Sequence, residues 1–324
     1  MLPTVSKTLI VAALAGLSLA YLTSGGGVTA FQVRQLDETS VQCKLPAGWS
    51  IPGHGLIDAS ALLDRVVVNS AVLLGERHDQ AAHHRWQLDT LRALHQRRPE
   101  LVLALEMFPR RVQPSLDAWV RGELSEEEFL QQSDWDNVWR FDAELYMDIF
   151  RFARTHRIPM RAVNVEADFT RTVSRSGFDA TAESMREGVS RPATPRPEYE
   201  QWLERIYSMH PPSTRSRDAN TARRALAHFI EAQLVWDRSM AQGIGEAIRA
   251  HPEALVVGLI GSGHLVHGYG VPHQLDDLGI GEHATLLPWD ANHDCTELVT
   301  GLADAVFNTD DDTGATPAPA KPVI

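Results

Sequence analysis

The chain has 324 residues, of which 44% are hydrophobic, 22% charged and 7% aromatic, an ordinary globular composition that argues against disorder. Its formal net charge is −12, with Asp310, Asp311 and Asp312 clustered near the end and no basic stripe, so nucleic acid is excluded as a partner. Two cysteines, Cys43 and Cys295, are too few for a disulfide scaffold or a thiolate metal site; they flank the span of expected strands and either pair across it or remain thiols.

Lys7 precedes an apolar run from Thr8 to about Leu22, then Gly25, Gly26, Gly27 and the small-residue stretch Val28, Thr29, Ala30. This is the grammar of an export signal. The run is about 14 residues, shorter than the roughly 20 that span a bilayer, so residues 1–30 are expected to be a cleaved signal peptide rather than a retained N-terminal anchor. No cysteine ends the run, which excludes lipid attachment there. The expected location is the periplasm or cell envelope, with membrane contact only through an uncleaved N-terminal segment.

Continuous runs rich in Val, Leu and Ile at 71–74, 101–105, 158–163, 254–260 and 284–287 predict strands buried on both faces. Between the first two, residues 80–98 place His84, Leu88, Leu91 and Leu94 at helical spacing, and the unit reads as a parallel βαβ. Residues 112–120, 125–132 and 141–156 predict helices, the second opening on Ser125 and three glutamates that suit a helix N-terminus. A longer excursion, 166–252, carries a Pro/Arg-rich loop, a break at Pro211-Pro212 and an amphipathic helix with Leu226, Phe229, Gln233, Trp236, Met240 and Ile244 on one stripe. The expected fold class is therefore α/β: a largely parallel sheet flanked by helices, with a helical excursion or lid inserted between the later strands. It forms one domain over about 45–305, followed by an unstructured tail over 306–324.

In open α/β sheets ligands sit beyond the carboxyl ends of the strands. There the sequence places Gly75-Glu76-Arg77-His78, Glu106, Asn164 with Glu166 beyond it, and Gly261-Ser262-Gly263-His264. Gly75 and Gly261 are expected to turn the chain sharply off their strands, and Gly263 to leave room beside His264. Glu76, His78, Glu106 and His264 together are a plausible first shell for a divalent ion such as zinc, manganese or iron, with a ligated water as nucleophile. Without a metal the same four groups suit general acid and base catalysis. His84, on an apolar helical stripe, reads as a packing residue. No Gly-x-Ser-x-Gly elbow and no Gly-x-Gly-x-x-Gly after a strand occurs, which argues against a serine hydrolase or a dinucleotide fold.

The order and spacing of Leu73-Leu74-Gly75-Glu76-Arg77-His78-Asp79, His83-His84, Leu105-Glu106-Met107-Phe108, Val163-Asn164, Ala232-Gln233-Leu234-Val235-Trp236-Asp237 and Gly261-Ser262-Gly263-His264 resemble the ChaN family. The resemblance runs from Ala71 to Pro272, and the family is similar to a superfamily that includes TIKI metalloproteases, TraB proteins and erythromycin esterases. It implies an exported haem-binding protein linked to iron uptake, with a homodimer and envelope iron-uptake components as expected partners. The family holds haem iron through a tyrosine, and by chemistry the candidate ligands here are Tyr269, His267, Tyr207 and His210. No Cys-x-x-Cys-His occurs, so covalent haem is excluded. The alternative is a divalent-metal-dependent peptidase or esterase built on the Glu/His strand ends, and a third reading is a non-catalytic interaction scaffold.

Overall fold

The computed structural model describes residues 45, 48–209, 218–290 and 293–309. The strands are β1 (Gly48–Ile51), β2 (Gly55–Ile57), β3 (Ala71–Glu76), β4 (Leu101–Pro109), β5 (Met160–Asn164), β6 (Leu255–Gly261), β7 (His283–Trp289) and β8 (Ala305–Asn308), in the order β2-β1-β8-β7-β3-β6-β4-β5. All five apolar runs read from the sequence become strands, and these pair in parallel, as do β7 and β8. Only the β1–β2 and β1–β8 pairings are antiparallel. The fold is α/β, as composition and periodicity led us to expect.

The helices are α1 (Ala59–Val66), α2 (Ala81–Arg97), α3 (Gln113–Arg121), α4 (Glu126–Gln132), α5 (Trp135–Val138), α6 (Glu144–His156), α7 (Ala167–Ser176), α8 (Pro197–Met209), α9 (Ala219–Ala250) and α10 (Val271–Asp277). Strand alternation divides their work between two faces. Val72, Leu74, Leu103, Leu105, Val257 and Leu259 pack under α2, α3 and α6 with Leu91, Trp119 and Phe150. Ala71, Leu73, Val102, Ala104, Val256 and Ile260 pack under α9 and α10 with Met240, Ile244 and Leu275. Ser125 forms a full capping box with Glu128 at the start of α4, and Asp218 caps α9 through the Thr221 N–H.

The expected stripe on α9 holds in its second half, where Met240 and Ile244 are buried. Phe229 is half-buried and Ala222 is exposed; the first half of this 32-residue helix packs on α7 and α8 rather than on the sheet. Close approach of α9 to the sheet is set by Gly243, where a Cβ would lie 2.7 Å from Val163 Cγ1. β8 carries the sheet to Asn308, past the boundary at 305 expected from composition. Residues 1–30, Cys43 (and with it the pairing to Cys295), His210 and residues 310–324 lie outside the described residues. Among the described residues no helix is long and apolar enough to cross a membrane.

Candidate functional site

β3, β6 and β4 are adjacent and parallel, so Glu76, Gly261 and Glu106 arrive at the same edge. Gly75 lies inside β3, whereas Gly261 ends β6 and leads directly into a 3-10 turn over Ser262–His264. A Cβ on Gly75 would strike Ser262 Oγ at 2.7 Å, and one on Gly261 would lie 2.9 Å from His78 Cε1. Glycine is needed at both so that side chains can cross the strand ends. At Gly263 a Cβ would meet only Trp202 of α8, at an ordinary contact distance of 3.6 Å, so room is left beside His264.

Two parallel hydrogen-bonded chains converge. In the first, Tyr146 of α6 donates to Glu76 Oε1 at 2.8 Å, and His78 Nδ1 donates to the same oxygen at 2.7 Å. His84 of α2 places Nδ1 3.1 Å from Glu76 Oε2, and its Nε2 lies 3.2 Å from the His78 carbonyl. In the second, Tyr199 of α8 donates to Asp237 Oδ2 at 2.8 Å, and His264 Nδ1 donates to Asp237 Oδ1 at 2.6 Å. Glu106 lies between the chains: Oε2 accepts the Gly261 N–H at 2.6 Å, while Oε1 is buried without a hydrogen bond, 3.8 Å from His264 Nε2. Each imidazole therefore has Nδ1 fixed by a carboxylate.

Burial alone would raise the pKa of Glu76, but hydrogen bonds from His78 and His84 and their charge outweigh it and hold the carboxyl far below the usual range. Burial would lower His78; the bond to Glu76 and the charges of Glu106, Glu76 and Asp79 overcome this and raise it to about 9. His264 moves upward for the same reason, with Asp237 supplying the charge and the bond. Tyr146 and Tyr199 are pushed well above the usual phenol range, first by burial and then by the carboxylates they contact, so both remain protonated donors. His78 also stacks edge-on against Trp139 at 4.5 Å and near Phe141 at 5.3 Å.

The structure thus brings Glu76, His78, Glu106 and His264 to one edge, as the strand ends implied. Among the described residues, however, no group of three or more His, Cys, Asp or Glu side chains is gathered as a metal ion requires. In place of the metal shell expected from the sequence these residues form carboxylate–imidazole pairs through Nδ1. Asp237, Tyr146 and Tyr199 were missed as site residues, and His84 proves to be both packed and bonded to Glu76. Only Asp237 left a trace in the sequence, as an acid next to Trp236 on the buried stripe of a helix.

The haem-ligand candidates divide. Tyr269 and His267 follow His264 on the same loop; Tyr269 is half-buried, 5.8 Å from Tyr199 and 5.1 Å from His267 between ring centres. The Tyr269 hydroxyl has no hydrogen-bond partner among the described residues, whereas His267, whose pKa burial lowers, bonds the Gly301 backbone. Tyr207 packs instead on Phe229 of α9 at 5.1 Å. A cavity of about 350 Å³ lies at the opposite, amino-terminal edge of the strands, between Leu101, His156 and His251, and involves none of these groups.

The family model described as haem-binding uptake, Tiki superfamily, ChaN matches residues 62–275. The chain belongs to the ChaN family. Among solved structures it is similar to ChaN of Campylobacter jejuni, described with cofacial haem binding, at 18% identity and a TM-score of 0.61 over 81% of this chain and 98% of that one. An erythromycin esterase variant in its open conformation matches at 11% identity and a TM-score of 0.44, over 75% of this chain and 77% of that one. A Bacillus cereus protein matches at 11% and 0.42, over 74% of this chain and 70% of that one. No curated protein matches by sequence. At these identities the likeness to the solved ChaN structure shows a shared fold.

Proposed function

We propose that this ChaN-family chain binds haem in the cell envelope as a step in haem or iron acquisition, after export directed by residues 1–30. The observation that carries the reading is the aromatic ledge beside the strand ends. Tyr269 and Trp202 are half-buried over Tyr199, His267 lies beside Tyr269 with ring centres 5.1 Å apart, and Tyr269 offers a hydroxyl with no partner among the described residues. Bound haem supplies an iron that takes a phenolate or imidazole ligand and a planar face that packs on aromatic rings. The described residues fit both needs: Tyr269 as the oxygen donor, the ledge as the apolar support. A homodimer and envelope components of iron uptake are the partners this role calls for.

Titration of protein lacking residues 1–30 with haem is expected to give a saturable Soret shift near one haem per chain. Tyr269→Phe should weaken binding about tenfold or more and abolish the tyrosinate signature, while Tyr207→Phe should leave both unchanged, if Tyr269 is the axial ligand. Absence of any saturable shift in the unmutated protein removes the haem reading.

A second reading is supported by the two anchored imidazoles that flank the bare Glu106 Oε1: hydrolysis of an ester or amide by acid and base catalysis, with His78 and His264 as the proton-transferring groups. In this reading the carboxylates orient both imidazoles through Nδ1. Against an ester panel, His78→Ala and His264→Ala should each lower turnover about 100-fold or more. Undiminished turnover in the double variant would show that any hydrolysis belongs to other residues.

A further inference from the structure

The chain has three lysines, Lys7, Lys44 and Lys321, and none falls among the described residues. Anion recognition in the folded domain therefore falls to arginine and histidine. At the carboxyl edge of the sheet most guanidinium groups are committed. Arg110 donates to the carbonyls of Glu187 and Ser239, and Arg111 pairs with Asp134 and Glu166. Arg77, between Glu76 and His78, is different. Its guanidinium is 40% exposed and makes no hydrogen bond among the described residues; its nearest carboxylate oxygens, on Asp79 and Asp290, are 3.8 and 3.9 Å away. Those acids attract the charge without occupying its N–H donors.

Its position is fixed from the backbone. The Arg77 N–H donates to Nδ1 of the buried His83 at 2.9 Å, which pins the turn that leaves β3. Arg77 is the first residue past β3, and its guanidinium lies toward Asp79 and toward Asp290 just past β7, which His83 of α2 also approaches at 3.6 Å. His267 and Tyr269 follow the adjacent strand β6, and the His267 N–H bonds the Leu302 carbonyl in the loop that leads into β8. At the same edge Glu76 and Asp237 are paired with His78 and His264, whereas Asp79 and Asp290 face Arg77, so a carboxylate ligand arriving there meets two acids and is held only if the guanidinium bonds it.

We propose that Arg77 is the carboxylate-recognising residue of this edge, pairing with a propionate of a porphyrin whose face rests on the Tyr269 ledge. The assignment rests on the haem reading. A planar guanidinium with unoccupied donors forms the two parallel bonds a carboxylate accepts, which a lysine or a neutral amide cannot reproduce.

The test compares haem with haem dimethyl ester, in the same detergent, on the unmutated chain and on Arg77→Gln, Arg77→Lys and Arg65→Gln; Arg65 is an exposed residue of α1. The unmutated chain and Arg65→Gln should prefer the free acid by about tenfold. Arg77→Gln should bind both porphyrins alike, and Arg77→Lys should keep part of the preference. Equal affinities in the unmutated chain, or a preference that survives in Arg77→Gln, overturns the assignment while leaving haem binding intact. If neither porphyrin binds saturably, the haem reading falls and the role of Arg77 falls with it. Thermal melts of each variant establish that the comparison is made on folded protein.

Discussion

Replacing Glu76 with alanine is expected to destabilise the fold by about 3–5 kcal/mol at pH 7. The carboxylate is fully buried and receives Tyr146, His78 and His84 within 3.1 Å, so its removal leaves a buried imidazole charge and a buried hydroxyl facing a void. Glu76→Gln keeps the volume and one acceptor oxygen and should lose about half as much. Urea denaturation read by tryptophan fluorescence measures both, and an alanine variant within 1 kcal/mol of the unmutated chain would contradict the geometry. The double replacement Glu76→Leu/His78→Leu should recover part of the loss, because an apolar pair pays no desolvation penalty. That contrast matters for function. Recovery in the leucine pair would mean that stability does not require the Glu76–His78 pair, and would favour a role for it in orienting a charged imidazole at the strand edge.

The strand-end groups were legible because one rule places them: buried parallel strands deliver whatever follows them to the carboxyl edge. Glu76, Glu106 and His264 needed only the apolar runs before them to be located. Their partners were not legible. Tyr146, Tyr199 and Asp237 come from α6, α8 and α9, and choosing them requires knowing which helix crosses which strand end, a tertiary fact with no local signature. The metal expectation failed for the same reason, since donor identity was visible and donor commitment was not. β1 and β2, of four and three residues, are too short to carry a period, and the antiparallel pairing of β1 with β8 is decided across the whole domain. Gly75 and Gly261 were noticed correctly, yet their use in close packing could be seen only with His78 and Ser262 in place.

Stability should also fall as the pH rises from about 6.5 to 9. His78 ordinarily titrates near 6.5 and is raised to about 9 in the fold, so between these values the native state holds a proton that the unfolded chain has released. Its contribution is complete below pH 6.5 and is lost as the pH passes 9, a change of about 3 kcal/mol for an imidazole this well shielded. His264, also raised, acts in the same direction. Glu76 works on the other side: its lowered pKa gives stability that is present above pH 4.5 and disappears as the pH falls further. His83, lowered by burial, opposes folding only as acid charges it, below its ordinary range. The optimum should therefore lie between about pH 5 and 6.5, on the acidic side of neutrality. Urea midpoints across pH 5–9.5 would show the decline, and His78→Asn should flatten it. A midpoint that stays level or climbs above pH 6.5 would mean that the Glu76–His78 pair is not ionic in the folded protein.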